Sequence, residues 1–483
     1  MRGLGTLTGV AESHRLTAWL FLRLLALIYF AAFLSLGGQL AGLVGSGGIL
    51  PVAELLDRAR EALGSSAWWR LPTLLWINTS DWSLYLLAAA GCGFSLLLLF
   101  AVRQTLALVA LFVLYLSLHT AGQVFLNFQW DYLLLETGFL AIFLGRVPSR
   151  LVLLLFHWLL FRLRFLSGLS KLLSGDPSWS GLTALNYYFE TQPLPHMGAW
   201  YAHQLPEWVL QSGVVFTLFV ELIVPFFIFL PRHFRWFAAG ATVVMQLCII
   251  ATSNHNFINL LTILLCLLLL DDGVVSKVLP DRLSPRLTPS EGSTGPVARA
   301  SLVVAALITL SVSGLSTWTM ISGQRLPRSL AVPVALLQRY GIGHVYHVFP
   351  TMQTERHELV IEGSSDGVIW KPYVFRYKPG SVERTPQFIV PHQPRLDWMM
   401  WFVPAHMPES ANWFNRFMTR LWEGAPAVTD LLDSNPFEGS RPRYLRALVY
   451  RYAFTDRRER EQTGNPWRRR YLGVFPEVPP RRP

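Results

Sequence analysis

Charge is scarce in this chain: 15% of its 483 residues are Asp, Glu, Lys or Arg, while 52% are hydrophobic. A soluble protein usually carries about 25% charged residues. The deficit excludes an ordinary water-soluble chain. Cysteine is nearly absent, and Cys92, Cys248 and Cys266 all sit inside apolar runs, so no disulfide framework or zinc pattern can be read. No cofactor motif is present either. Lysine is rare, four residues against 37 arginines. That bias, with abundant Ala, Gly and Leu, fits a GC-rich bacterial genome and makes each retained lysine notable.

What is abundant is apolar length. A span needs roughly 20 mostly apolar residues to cross about 30 Å of hydrocarbon, and several such runs lie before residue 325, none after it. Spans are predicted at 16–37, 82–101, 104–122, 128–145, 150–172, 208–230, 234–252, 256–271 and 298–320, nine in all. The fourth contains Asp131 and Glu136 and the eighth is short, so either could be a half-helix tucked among the others. The first run continues to spanning length without a small-residue cleavage site, and reads as a true span rather than a signal peptide. The expected fold is a polytopic α-helical bundle at 1–325, with a cytoplasmic linker at 273–297, followed by a soluble mixed α+β domain at 326–483.

Loop charge sets the expected orientation. With Arg2 and Arg15 in the cytoplasm, Arg103, Arg146, Arg150, Arg232, Arg235, Lys277, Arg282, Arg286 and Arg299 fall on the same side. Asp81, Asp176, Glu190 and Glu207 fall opposite. The C-terminal domain is thereby expected in a periplasm, for a bacterial inner-membrane protein, or in an endoplasmic reticulum lumen, for a eukaryotic one. The net charge of +11 comes mostly from that domain and suits anionic lipid headgroups. A nucleic-acid partner is not implied, because no basic recognition element accompanies the charge.

Ionisable residues within spans are costly unless paired, and are functional candidates by default. His157, Arg164 and Lys171 recur every seven residues in the fifth span and so share one helix face. Glu221 lies midway through the sixth span and could pair with Arg162 or Arg164. A polar cavity lined by His157, Arg164, Glu221, Asp131 and Glu136 is the expectation. Lys171 either snorkels to the interface or acts there; a desolvated lysine, unlike arginine, can serve as a base. Beyond that helix, Asp176, Trp179, Tyr187, Glu190 and His203 form an outer loop that anchors at the headgroups or lines the cavity mouth.

In the C-terminal domain the runs Val345–Phe349, Glu358–Glu362 and Val368–Tyr377 predict strands. Gly363-Ser-Ser-Asp-Gly367 predicts a hairpin turn between the last two. Helices are predicted near 409–423, 426–433 and 442–451, and the tail from Arg457 reads as basic, Pro-rich chain. His392, Arg395, Asp397 and Trp398 form a polar motif without a Ser or Cys nucleophile, which favours a structural pairing.

Three stretches carry a resemblance: Phe128-Gln-Trp-Asp-Tyr-Leu-Leu-Leu-Glu-Thr-Gly-Phe139, Leu182-Thr-Ala-Leu-Asn-Tyr-Tyr-Phe-Glu-Thr-Gln-Pro-Leu-Pro195 and Pro391-His-Gln-Pro-Arg-Leu-Asp-Trp-Met-Met-Trp401. With Asn435-Pro-Phe437, they resemble the lipase maturation factor family. The resemblance implies a membrane protein that assists folding and assembly of secreted clients, lipases among them, from the endoplasmic reticulum membrane in animals, with its C-terminal region lumenal. A shorter stretch, Ser167-Gly-Leu-Ser-Lys-Leu172 with Trp179 and Gly181, is distantly similar to the vitamin K-dependent γ-carboxylase superfamily around its catalytic lysine. That similarity implies a second function class, a membrane enzyme using Lys171 as a base on a membrane-presented substrate, although Ser170 stands where the carboxylases have a second lysine. A transporter is a third class, without an inverted repeat to support it.

Overall fold

A computed structural model describes residues 11–145, 147–279 and 295–475. Arg2, Arg146, Arg282 and Arg286, the linker from 280 to 294 and the tail beyond 475 lie outside those residues. The long helices are α1 (Arg15–Gly37), α2 (Asp81–Leu99), α3 (Gln104–Ala121), α4 (Gln129–Ala141), α5 (Arg150–Leu173), α6 (Glu207–Leu222), α7 (Arg232–Thr252), α8 (Ile258–Leu267) and α9 (Pro296–Ser322). Among the described residues, seven helical segments are long and apolar enough to cross a membrane, α6 counting with its continuation to Phe229. Helices do this because hydrocarbon offers no partner for an open backbone N–H or C=O. The chain is a multi-pass membrane protein.

Of the nine expected runs, the two that could be half-helices, 128–145 and 256–271, are the two that fold as short helices. Segment 128–145 folds as α4, 13 residues long, or about 20 Å at 1.5 Å per residue. Segment 256–271 folds as the 10-residue α8 and turns by 119° into a short helix, Asp272–Val278. Both are too short to span alone, yet both carry the chain from one end of the bundle to the other. At one end, Ala11 N donates to Pro148 O at 2.9 Å, and Arg15 N and Thr17 N donate to the Asp272 carboxylate at 2.9 Å. At the opposite end, Asp131 at the head of α4 meets Arg395, and Asn254, just before α8, bonds Gln387 O and Ile389 N. Short helices are tolerated because neighbours enclose them: Asp131 and Glu136 are wholly buried.

The C-terminal domain is built on an antiparallel sheet of order β2-β1-β3-β4, with β1 Arg356–Ser364, β2 Lys371–Pro372, β3 Tyr444–Phe454 and β4 Trp467–Phe475. The hairpin at 363–367 forms, but its second arm pairs only at Lys371 and Pro372. The Asp366 carboxylate accepts from Val368 N and Ile369 N, which widens the turn, and Pro372 lacks an N–H for the ladder. Val345–Phe349 is not a strand; it runs as irregular chain against α5. Residues 442–451 fold as β3 rather than a helix, since Tyr-Leu-Arg-Ala-Leu-Val-Tyr-Arg-Tyr-Ala-Phe is rich in residues that suit a half-buried sheet. In the tail, Arg457–Thr463 is a short helix, and 467–475 supplies the edge strand, where Arg468, Arg469 and Arg470 are exposed. Edge charges of this kind discourage further strand pairing. Met407–Glu423 is helical as expected, while only Pro426–Thr429 is helical within 426–433.

The two parts share one core. Leu133, Phe156 and Leu261 of the bundle belong to the same buried cluster as Leu359, Trp398 and Phe417 of the C-terminal region.

Candidate functional site

The seven-residue spacing in α5 places Arg164 and Lys171 on one face, two turns apart. Glu221 of α6 lies between them: Oε1 is 2.9 Å from Arg164 Nη2 and Oε2 is 2.8 Å from Lys171 Nζ. All three side chains are at most 6% exposed. The close approach of the two helices depends on Gly168, where an added Cβ would fall 2.8 Å from Glu221 Cβ and 2.9 Å from Leu222 Cγ. The Lys171 ammonium also donates to Val348 O at 2.7 Å and to Ser167 O at 3.2 Å. Trp179 covers the ammonium from one side, with Nζ 5.0 Å from the ring centroid. Lys171 is thus enclosed by the Glu221 carboxylate, two backbone carbonyls and an indole ring, and the snorkelling expectation is replaced by full burial.

The remaining candidates for the polar cavity are elsewhere, which corrects the single cavity expected from sequence. His157 Nε2 is 3.1 Å from Leu268 O, remote from the triad. Glu136 binds Arg162 and accepts from Tyr346 Oη at 2.8 Å, so Arg162 pairs with α4 and not with Glu221. Asp131 receives a two-pronged contact from Arg395, at 2.7 and 2.8 Å, and a 2.6 Å bond from Tyr115 Oη. The spacing along α5 showed one face; it could not show that partners arrive from three different helices.

Residues of the outer loop dock the C-terminal domain. Asp176 accepts from Ser178 N at 2.8 Å, Ser178 Oγ at 2.6 Å and Met352 N at 2.6 Å. Burial alone would raise its carboxyl, but these three donors hold it below the usual 3.8. Glu190 accepts from Phe454 N at 2.9 Å and lies 3.8 Å from His203. Burial lowers His203 below the usual 6.5 against the pull of Glu190. Tyr187 is half-buried, its carbonyl accepting from Thr191 Oγ1. In the C-terminal motif, Arg395 serves Asp131, Asp397 accepts from Tyr377 N and Lys378 N at 2.7 and 2.9 Å, and His392 Nδ1 is 2.9 Å from Ser35 Oγ. These three do not meet as a catalytic cluster.

A cavity of about 200 Å³ opens beside the Arg164–Glu221–Lys171 triad. Trp179 and Trp398 line it as well, from the outer loop and the C-terminal motif. Sequence reasoning missed Trp130, Gln246, Asn259 and His347, which also line it. Gln246 in mid-span, and Asn259 at the head of an apolar run, were the available signals. Burial lowers His347 below 6.5, Lys171 pushing the same way, so it is neutral at pH 7. Among the described residues, no group of three His, Cys, Asp or Glu side chains is placed to hold a metal.

Comparisons with known proteins cover nearly all of the chain. A family model described as the lipase maturation factor transmembrane domain matches residues 16–277, and one described as the lipase maturation factor C-terminal domain matches residues 342–477. The chain is 34% identical to lipase maturation factor 2 of Xenopus laevis, over 96% of this chain and 82% of that protein. It is 33% identical to lipase maturation factor 2 of Homo sapiens, over 95% and 82%. With lipase maturation factor 1 of Mus musculus it shares 33% identity, over 98% and 89%. No solved structure matches.

Proposed function

Because the chain belongs to the lipase maturation factor family, we propose that it is a membrane-anchored maturation factor that assists the folding and assembly of secreted proteins, lipases among them. The observation that carries this reading is the match of both parts of the chain, the bundle and the C-terminal domain, to proteins of that name over 95% or more of its length. The fold agrees with such a role. The bundle anchors the protein, and the C-terminal region is held against one end of it by the buried Arg395–Asp131 ion pair and by indole N–H bonds from Trp200 to Thr455 O and from Trp401 to Thr191 O.

The expected orientation puts that sheet on the secretory side, periplasmic or lumenal, where a newly exported client is first met. Membrane lipid is then the second partner, since apolar helices such as α2 and α7 present Leu86, Phe237 and Leu247 outward. The enclosure of Lys171 by Glu221, Val348 O and Ser167 O gives it a structural role and supports this reading over the enzyme class. Deleting the gene from its host is expected to lower secreted lipase activity, with restoration by a plasmid copy. Unchanged activity and abundance of every secreted lipase in the deletion strain would overturn the proposal.

A further inference from the structure

The cavity beside the triad is rich in hydrogen-bond donors that have nothing to bond. Trp130, Trp179, Trp398, Gln246 and Asn259 line it and are each at most 5% exposed. The indole Nε1 of all three tryptophans, Gln246 Nε2 and Asn259 Nδ2 are buried without a protein partner. Leaving one such donor unmet costs about 1–3 kcal/mol, so five around one cavity of about 200 Å³ call for an occupant that supplies acceptors. Arg164 Nε and Glu221 Oε2 are also without a hydrogen-bond partner, so the open groups of the wall are six donors against one acceptor; water offers donors as readily as acceptors and matches that imbalance less well than an acceptor-rich occupant.

Charge points the same way. Arg164 and Lys171 carry two positive charges against the one negative charge of Glu221, whose Oε1 accepts from Arg164 while Oε2 lies in ion-pair contact with Lys171 at 2.8 Å. A net +1 in a low-dielectric setting favours a single negative charge nearby. The rest of the wall is hydrocarbon, including Leu163, Leu185, Ile249 and Ile258. Thr217 on α6 and Ile249 on α7 are only half-buried, so the cavity reaches the lipid-facing side of those helices.

We propose that this cavity binds a monoanionic acyl lipid, whose oxygen-bearing head accepts from the indole and amide N–H groups beside the positive triad while its chain follows the apolar wall toward the gap between α6 and α7. The carboxylate of a free fatty acid and the phosphate of a phospholipid share this chemistry. The inference does not rest on the maturation reading and stands or falls by itself.

The test is lipid binding to the delipidated full chain in detergent, with oleate against methyl oleate and dioleoyl phosphatidylglycerol, a phosphodiester with one negative charge, against dioleoylglycerol. At least one anionic lipid is expected to bind about tenfold or more tightly than its neutral counterpart, because hydrogen bonds to a charged group contribute about 1.5–3 kcal/mol. A preference for oleate assigns the carboxylate as the natural head, and a preference for phosphatidylglycerol assigns the phosphate. The double variant Gln246→Leu/Asn259→Leu removes two donors and leaves the triad; it is expected to lose about tenfold in affinity. Trp179→Phe removes one N–H, keeps a ring, and is expected to lose severalfold even if the double variant does not fold. Equal binding of the neutral lipids, or wild-type affinity in a cooperatively melting variant, overturns the proposal.

Discussion

At the residue scale, the informative groups are charges that hydrocarbon should exclude. Buried carboxylates meet them from other segments: Asp131 pairs with Arg395, Glu136 with Arg162, and Glu221 with Arg164 and Lys171. Arg395 and Asp131 are separated by 264 positions and are at most 2% exposed. Removing one member of a buried pair leaves the other uncompensated and costs about 3–5 kcal/mol. Arg395→Leu is therefore expected to lower the melting temperature of the purified chain sharply, and adding Asp131→Leu to recover much of the loss. A single variant as stable as wild type would contradict that pairing. Asp176 gives a pH dependence. Its folded carboxyl lies below its unfolded value of 3.8, so its contribution is complete above 3.8 and is lost as pH falls through the folded value. Hydrogen exchange at the Met352 amide is expected to accelerate in that acid range, and Asp176→Asn to remove the dependence. The sequence showed that these charges needed partners. It offered Glu221 to either Arg162 or Arg164, and the structure gives it to Arg164 while Arg162 turns to Glu136; depth in a membrane can be read from position, whereas rotation about a helix, relative to its neighbours, cannot.

At the element scale, hydropathy was a good guide wherever a helix faces lipid. It served for the enclosed α5 as well, read at 150–172 and found at Arg150–Leu173, and was ambiguous only for the two short helices. Segments 128–145 and 256–271 read as spans, yet each has 13 residues or fewer in its main helix, since packing can satisfy the chain on either side. In the C-terminal domain, β3 was misread because Leu445, Leu448 and Val449 also fit a helical face, and β4 because three consecutive arginines hide its alternation. The approach of α5 to α6 depends on one missing side chain. Gly168→Val would place carbon about where Glu221 Cβ and Leu222 Cγ now pack, and overpacking of this kind costs about 1–3 kcal/mol. The expected outcome is a lower melting temperature and faster exchange of amides in α6. A melting curve identical to wild type would show that the helices have slack the packing does not suggest.

At the scale of the whole molecule, the bundle and the sheet form one object. Lys171 of α5 donates to Val348 O, Asp176 accepts from Met352 N, and Trp200 Nε1 donates to Thr455 O at 3.0 Å. A rigid attachment of this kind suits a protein that presents a fixed surface at the membrane boundary to a folding client. The most direct measurement is reconstitution: a secreted lipase expressed in cells lacking their own maturation factor, with and without this chain, and scored as activity per molecule secreted. The account predicts that the chain raises both the specific activity and the fraction of lipase recovered in its assembled form. The same specific activity with and without the chain, at equal membrane expression, would contradict it.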